Sequence, residues 1–304
     1  MSGDDASVRP ASPLGGLLAR HPLICFFLMT FAFSWIVWSP WYLSEEGVGL
    51  LQFTSPLLPS FAVPVGILLG PALSGFIMTG VTEGRVGIRR LLRRIVLWRV
   101  GLRWYLIALV GVPVVMALGT LIVPGGVAAL LALVPGYLLL YLLSFVLTAI
   151  LGGPLLEEPG WRGFALPRLQ LLHGPFVGTL ILGLLWALWH LPEFLVPSWA
   201  AQSGGSDFFA IVKFVIIAIS FAIVITWVFN NTNGSVFIAI LVHASIDDFS
   251  GLLGVPFSPS DMANIILASF GPLAVVLVAL TRGRLGYQDY RPEEASADRT
   301  SAPA

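Results

Sequence analysis

The sequence predicts an all-α membrane protein in which about eight transmembrane helices enclose a polar intramembrane cavity. Of its 304 residues, 57% are hydrophobic and only 11% are charged, whereas soluble domains contain about 25% charged residues. The mean hydropathy is +0.91, so a soluble fold of this size would leave much of its apolar surface in water. The apolar residues form long runs, and the few charges inside these runs fall into clusters. The surrounding medium is therefore lipid.

Eight segments are long and apolar enough to cross a bilayer, which takes about 20 residues. The segment 124–160 is interrupted by glycines and prolines, so one helix or two short pieces both fit it. The polar segments 1–20 and 283–304 are predicted to be disordered tails of a membrane domain at 21–282. The predicted spans are 22–43, 61–82, 105–123, 136–158, 175–196, 209–229, 235–255 and 262–281.

The basic residues predict the orientation of the chain. Seven arginines lie in the loop between the second and third spans, and such loops remain in the cytoplasm. Eight spans then place both termini in the cytoplasm as well. Apolar residues at helical spacing in this loop also fit an amphipathic helix on the inner leaflet. No soluble domain is present to offer a nucleic-acid groove, and the bias towards arginine favours a bacterial cytoplasmic membrane. The seven are Arg85, Arg89, Arg90, Arg93, Arg94, Arg99 and Arg103.

Ionisable residues inside the apolar segments are concentrated in three clusters. Such a residue costs roughly 2.5–3.5 kcal/mol on insertion scales and usually marks a functional site. These side chains are therefore expected to face one another or a wet cavity. The clusters contain Glu157, Glu158 and Arg162; Trp186, His190 and Glu193; and His243, Asp247 and Asp248.

The chain positions predict that the first two clusters meet. Glu157 lies 17 residues before the turn at Gly174, and His190 lies 16 residues after it. At a rise of about 1.5 Å per residue, both are roughly 25 Å from that turn. An antiparallel helix pair would therefore hold them at similar depth. His243 is expected somewhat nearer its own turn, at a depth compatible with a shared cavity.

The spacing within the first cluster predicts different environments for its two glutamates. Glu158 and Arg162 are four residues apart and share a helix face, while Glu157 points about 100° away. One carboxylate can then pair with arginine while the other faces the cavity. Pro159 removes a backbone donor and can open the helix there.

The other two clusters have the same four-residue spacing. His243 and Asp247 share a helix face and can contact the same group in the cavity. Asp248 points about 100° away and is expected to be a secondary partner. The indole of Trp186 can pack on His190 and fix it. Glu193 is expected to extend to the membrane surface, and most tryptophans to anchor at the interfaces.

These residue types suit amide hydrolysis by an activated water. A glutamate and a histidine can hold and deprotonate water, and a second histidine with an aspartate can stabilise an oxyanion. A metal such as zinc is an open alternative, with Glu157, His190 and His243 as the ligands, although there is no H-E-x-x-H motif.

A proton-coupled transporter and a non-catalytic scaffold or immunity protein are the competing functions, but no internal repeat supports transport.

The three clusters, in this order, resemble the motifs of the CAAX-protease-like family of intramembrane endopeptidases, also called the abortive-infection family. The resemblance covers about residues 85–255, and two positions depart from the usual pattern: Trp186 stands in place of Phe, and Asp247 in place of Asn. The motifs are Glu157-Glu158-x-x-x-Arg162, Trp186-x-x-x-His190 and His243-x-x-x-Asp247.

The resemblance implies a role for each motif residue. Glu157 and His190 would activate water, His243 and Asp247 would form the oxyanion site, and Glu158 with Arg162 would shape the first motif. It also implies a membrane-embedded or lipid-anchored peptide or protein as the substrate.

Overall fold

A computed structural model describes residues 13–287, except for the side chains of residues 13–15 and 133–138. Within these residues all the regular structure is helical, as predicted. In chain order the helices are α1 (Pro13–Arg20), α2 (Pro22–Leu43), α3 (Leu58–Ile95), α4 (Leu102–Ile122), α5 (Gly126–Leu151), α6 (Pro154–His173), α7 (Pro175–Trp189), α8 (Pro197–Gln202), α9 (Phe208–Asn231), α10 (Val236–Leu253) and α11 (Pro259–Thr281).

The described helices include seven that are long and apolar enough to cross a membrane. An eighth candidate is a bent pair, in which Leu139–Leu151 and Pro154–His173 meet at 47°. The predicted multi-pass membrane fold is therefore confirmed, with seven or eight spans. The ambiguous segment forms two helices, because Gly152 and Gly153 separate α5 from α6.

The second span is longer than predicted. Helix α3 continues from Leu58 to Ile95 and so includes most of the arginine-rich segment. Gly84 breaks its geometry with φ 62°, a left-handed value that favours glycine. The basic segment is thus the last part of a kinked helix.

Four chain segments meet at one end of the helix bundle, which we call the basic end because the arginine-rich part of α3 lies there. They are the end of α3 with the α3–α4 connection, the end of α6, the end of α9 with the α9–α10 turn, and the segment after α11. Hydrogen bonds join them: Arg94 Nε donates to the Gly234 carbonyl (2.9 Å), Ser235 Oγ to Leu97 O (2.7 Å), and Asn230 Nδ2 to Gln170 Oε1 (2.7 Å) and Leu285 O (3.0 Å).

The predicted tails are partly structured where they are described. Residues Pro13–Arg20 form α1, although this segment was predicted to be disordered. After α11, Leu285 is fully buried and its carbonyl accepts a hydrogen bond from Asn230. This burial and hydrogen bond hold the segment after α11 against the bundle. The remainder of each predicted tail, 1–12 and 288–304, lies outside the described residues.

Helix α6 is held very close to α3. A Cβ atom added to Gly160 would lie 2.3 Å from the carbonyl oxygen of Pro71, and one added to Gly75 would lie 2.9 Å from Gly160 Cα. Only glycine permits this approach. A π-helical turn, Trp161–Ala165, follows immediately, which agrees with the expected opening of the helix at Pro159. This contact fixes the position of the first polar cluster.

Candidate active site

One cavity of about 260 Å³ brings the three polar clusters together. Glu157 on α6, His190 at the end of α7, and His243 and Asp247 on α10 all line it. Glu158 and Arg162 do not line it; they are fully buried behind its wall. The structure therefore separates the two adjacent glutamates, as their spacing on the helix predicts.

Glu157 is held by two neutral indole groups. Its Oε2 accepts hydrogen bonds from Trp186 Nε1 (2.8 Å) and Trp161 Nε1 (3.2 Å), and the residue is 5% exposed. Gly153, with φ 114°, begins the helix one turn earlier, and a Cβ there would lie 2.9 Å from Glu157 Oε1. The carboxylate is therefore oriented by neutral donors, and Oε1 has space that a side chain at position 153 would take.

Glu158 connects the first polar cluster to the third. Its Oε1 accepts hydrogen bonds from Arg162 Nη1 and from His243 Nδ1, both at 2.8 Å. Because a carboxylate only accepts, the Nδ1 of His243 carries a proton. The Nε2 of His243 lies 3.6 Å from Asp247 Oδ2. The buried ion pair thus orients His243 with Nε2 directed to the Asp247 side.

His190 is oriented by the backbone of its own helix. Its Nδ1 lies 2.8 Å from the Trp186 carbonyl oxygen, which can only accept, so Nδ1 is the protonated nitrogen. In the neutral ring Nε2 then has a lone pair for a water or a proton. The predicted packing of Trp186 on the imidazole is present, with ring centroids 5.9 Å apart. Trp189 is closer, at 4.7 Å.

The two adjacent aspartates point in different directions. The Asp247 side chain is 37% exposed and reaches the cavity. Asp248 is buried, and its Oδ1 accepts a hydrogen bond from Thr148 Oγ1 at 3.0 Å. Asp248 therefore joins α5 to α10, in line with the secondary role expected for it.

Two expectations from the sequence were wrong. Glu193 does not extend to the surface: it is 3% exposed and lines the cavity. The reason is the 3₁₀ turn Leu191–Leu195, which directs this side chain inward. Nor are Trp161 and Trp189 interfacial anchors, since they are 0% and 1% exposed. The proximity of Glu193 to His190 in the sequence was the only available signal.

A metal at this cavity is not supported by the side-chain arrangement. Among the described residues, no three His, Cys, Asp or Glu side chains are grouped so that they could hold one ion. Glu157 Oε2 already has two indole donors. Glu157, His190 and His243 thus share a cavity without forming a ligand set.

The cavity lies in the half of the bundle away from the basic end. Trp38 is near the end of α2, Val63 is near the start of α3, and Phe214 is in the second turn of α9. Glu193 and Trp199 belong to the α7–α9 connection, at the end opposite to the α6–α7 turn. The polar clusters therefore face the end that lacks the arginine-rich segment.

Comparison with known proteins gives a match over the same part of the chain. Residues 139–248 match the Rce1-like family, described as type II CAAX prenyl endopeptidase Rce1-like. This part of the chain is therefore similar to the CAAX-protease-like family that the motifs resemble. The match is shorter than the region 85–255 expected from the motifs, but it includes all six motif residues that carry a predicted role.

The chain is also similar to the CAAX prenyl protease 2 of Methanococcus maripaludis. The two are 30% identical over 111 residues, which is 36% of this chain and 41% of the relative. This chain thus matches less than half of the length of that relative.

Proposed function

We propose that this protein is an intramembrane endopeptidase that hydrolyses a peptide bond of a membrane-associated protein or peptide. The observation that carries the proposal is the shared cavity of Glu157 and His190, with the His190 Nε2 left available by the hydrogen bond at Nδ1. The name of the archaeal relative supports a protease, and the comparisons do not favour a scaffold or a transporter.

The proposed reaction is attack by an activated water. Water lies between Glu157 and His190, and the Glu157 carboxylate takes one of its protons as the oxygen attacks the carbonyl carbon. The oxyanion then accepts a hydrogen bond from His243 Nε2–H when that ring carries both protons. The proton passes from Glu157 to the leaving nitrogen as the C–N bond breaks. Glu158 and Arg162 act by holding His243 in position.

Trp186 positions both Glu157 and His190 in this reaction. Its Nε1–H orients Glu157, its carbonyl orients His190, and its ring centroid lies 5.2 Å from that of His243. The indole N–H, which phenylalanine lacks, therefore links the second motif to the first. This contact gives a physical reason for tryptophan at the start of the second motif.

Peptide hydrolysis by the purified protein in liposomes tests the proposal. A peptide library is incubated with wild type, His190→Gln and His173→Gln, and new termini are identified by mass spectrometry. His173 is exposed in the α6–α7 turn, so its variant is a matched control. We expect cleavage by wild type and His173→Gln only. Equal cleavage by all three, or uptake of ions by the liposomes without cleavage, contradicts the proposal.

We also propose that the basic end faces the cytoplasm, because arginine-rich loops are retained there. The cavity then lies towards the outer leaflet. In a Cys25→Ser background, Ser206→Cys should react with a membrane-impermeant maleimide on intact cells, and His173→Cys only after permeabilisation. Both positions are exposed, at opposite ends of the bundle. The reverse labelling pattern would overturn this orientation.

A further inference from the structure

The cavity lining contains more acidic than basic side chains. Its described lining residues include three carboxylates, from Glu157, Glu193 and Asp247, and two imidazoles, but neither lysine nor arginine. Even with both imidazoles protonated, the formal charge of these groups is −1, from three acids and two bases. Arg162, the nearest arginine in sequence to Glu157, pairs with Glu158 behind the wall. The cavity is thus complementary to a positive group.

Glu193 is buried with one carboxyl oxygen that has no hydrogen-bond partner among the described residues. The residue is 3% exposed, and its Oε2 has no hydrogen-bond partner among the described residues. Its backbone N–H donates to the His190 carbonyl at 3.0 Å, and both residues line the cavity. A buried carboxyl group without a partner is stable in its charged form only when a cation is beside it, and is otherwise protonated. A cationic ligand beside His190 would supply the partner that Glu193 lacks.

Aromatic rings surround the same region. Trp199 stacks on His190 with a centroid distance of 6.3 Å and an interplanar angle of 20°. Phe214 lies 5.7 Å from Trp199, and both line the cavity together with Trp38 and Trp189. Ring faces attract ammonium and guanidinium groups, and do so more strongly when the site is desolvated. A carboxylate within an aromatic wall is the arrangement that selects such a group.

We infer that Glu193, Trp199 and Phe214 form a subsite for a positively charged side chain of the substrate peptide, close to the scissile bond. This inference rests on the proposed endopeptidase function. It assigns Glu193 to substrate recognition, while Glu157 and His190 act on the water. A divalent cation is disfavoured as the occupant because the described acidic and histidine side chains form no three-ligand group.

Substrate profiling tests the subsite. Peptides that differ only in Arg, Lys, citrulline or norleucine at one position are offered to wild type, Glu193→Gln and Glu45→Gln. Glu45 is exposed near the same end of the bundle, so its variant is the matched control. We expect wild type and Glu45→Gln to prefer a charged residue at one position by about 10-fold or more in kcat/KM. Glu193→Gln should lose most of this preference through a higher KM.

The variants also separate a specific role from a general one. Glu193→Asp retains the charge and should retain part of the preference. The inference is wrong if Glu193→Gln lowers kcat/KM for charged and neutral peptides by the same factor, or if wild type shows no preference for charged peptides. Arginine and lysine peptides, compared with each other, show whether a guanidinium or an ammonium group fits better.

A binding measurement makes the result independent of catalysis. Isothermal titration calorimetry of the full-length protein compares arginine amide with its uncharged analogue citrulline amide. Wild type should bind arginine amide about 10-fold more tightly, and Glu193→Gln should bind the two equally. Selective binding of arginine amide without any peptide cleavage would contradict the endopeptidase function but support a cation-binding subsite. Peptide cleavage without a preference for charged groups in either assay would support the endopeptidase function and contradict the subsite.

Discussion

The two ends of the bundle differ in how their buried and half-buried carboxylates are paired. At the basic end Glu83 contacts both Arg90 and Arg168, and the amides of Gln170 and Asn230 bond to each other. At the cavity end Glu157 is bonded only to indole N–H groups among the described residues. Polar groups that satisfy one another stabilise the fold, whereas carboxylates without a cation remain available to water and substrate. Pairing therefore distinguishes the site better than burial does.

The buried ion pair behind the cavity gives the largest expected effect on stability. Arg162→Met leaves Glu158 buried without its arginine, and the loss of one partner of such a pair costs about 3–5 kcal/mol. Thermal unfolding in detergent measures the change. The double variant Glu158→Met/Arg162→Met should recover much of the stability but not cleavage, because His243 has lost its acceptor. If the single and double variants unfold at the same temperature, the pairing account fails.

The role of the Trp186 indole N–H at the cavity end can be tested by removing this donor alone. Trp186→Phe retains an aromatic ring but removes the donor 2.8 Å from Glu157 Oε2. A hydrogen bond to a charged group contributes about 1.5–3 kcal/mol, so kcat should fall about 10- to 100-fold. Trp227→Phe is the control, since Trp227 packs on Trp104 away from the cavity. Similar rates for the two variants would show that the N–H does not orient the carboxylate.

The close approach of α3 and α6 tests how the first motif is positioned. Gly160→Ala would bring a Cβ to 2.3 Å from Pro71 O, whereas Gly80→Ala meets nothing nearer than 3.8 Å. Overpacking typically costs about 1–3 kcal/mol, so the unfolding temperature of Gly160→Ala should fall and cleavage should weaken. Gly80→Ala should be unchanged or slightly more stable. Equal stability of both variants would contradict the close contact.

The ion pairs at the basic end give the smallest expected effect. The Glu83 side chain is 20% exposed, and surface ion pairs contribute about 0–1 kcal/mol. Glu83→Gln should therefore lower the unfolding temperature slightly, and less so at high salt because exposed charges are screened. A loss of peptide cleavage in this variant would mean that the two ends are not independent.

The sequence predicts the parts of the site that depend on spacing within a helix. The pairing of Glu158 with Arg162 and the common depth of Glu157 and His190 both follow from the rise of a helix and from one turn at Gly174. Glu193 could not be placed, because its direction depends on a 3₁₀ turn that periodicity does not show. The hydrogen bond from Trp186 was also missed, since Trp186 reaches Glu157 from a different helix, 29 residues away.

Glu157→Gln and Glu83→Gln, measured side by side, test the central claim most directly. For each variant, the rate of peptide cleavage and the unfolding temperature are determined on the same preparation. Glu157→Gln should lower the rate about 10²- to 10⁴-fold with little change in unfolding temperature, and Glu83→Gln should lower only the unfolding temperature. Substantial cleavage by Glu157→Gln, or an equal loss of activity in both variants, would contradict the assignment of Glu157 to catalysis.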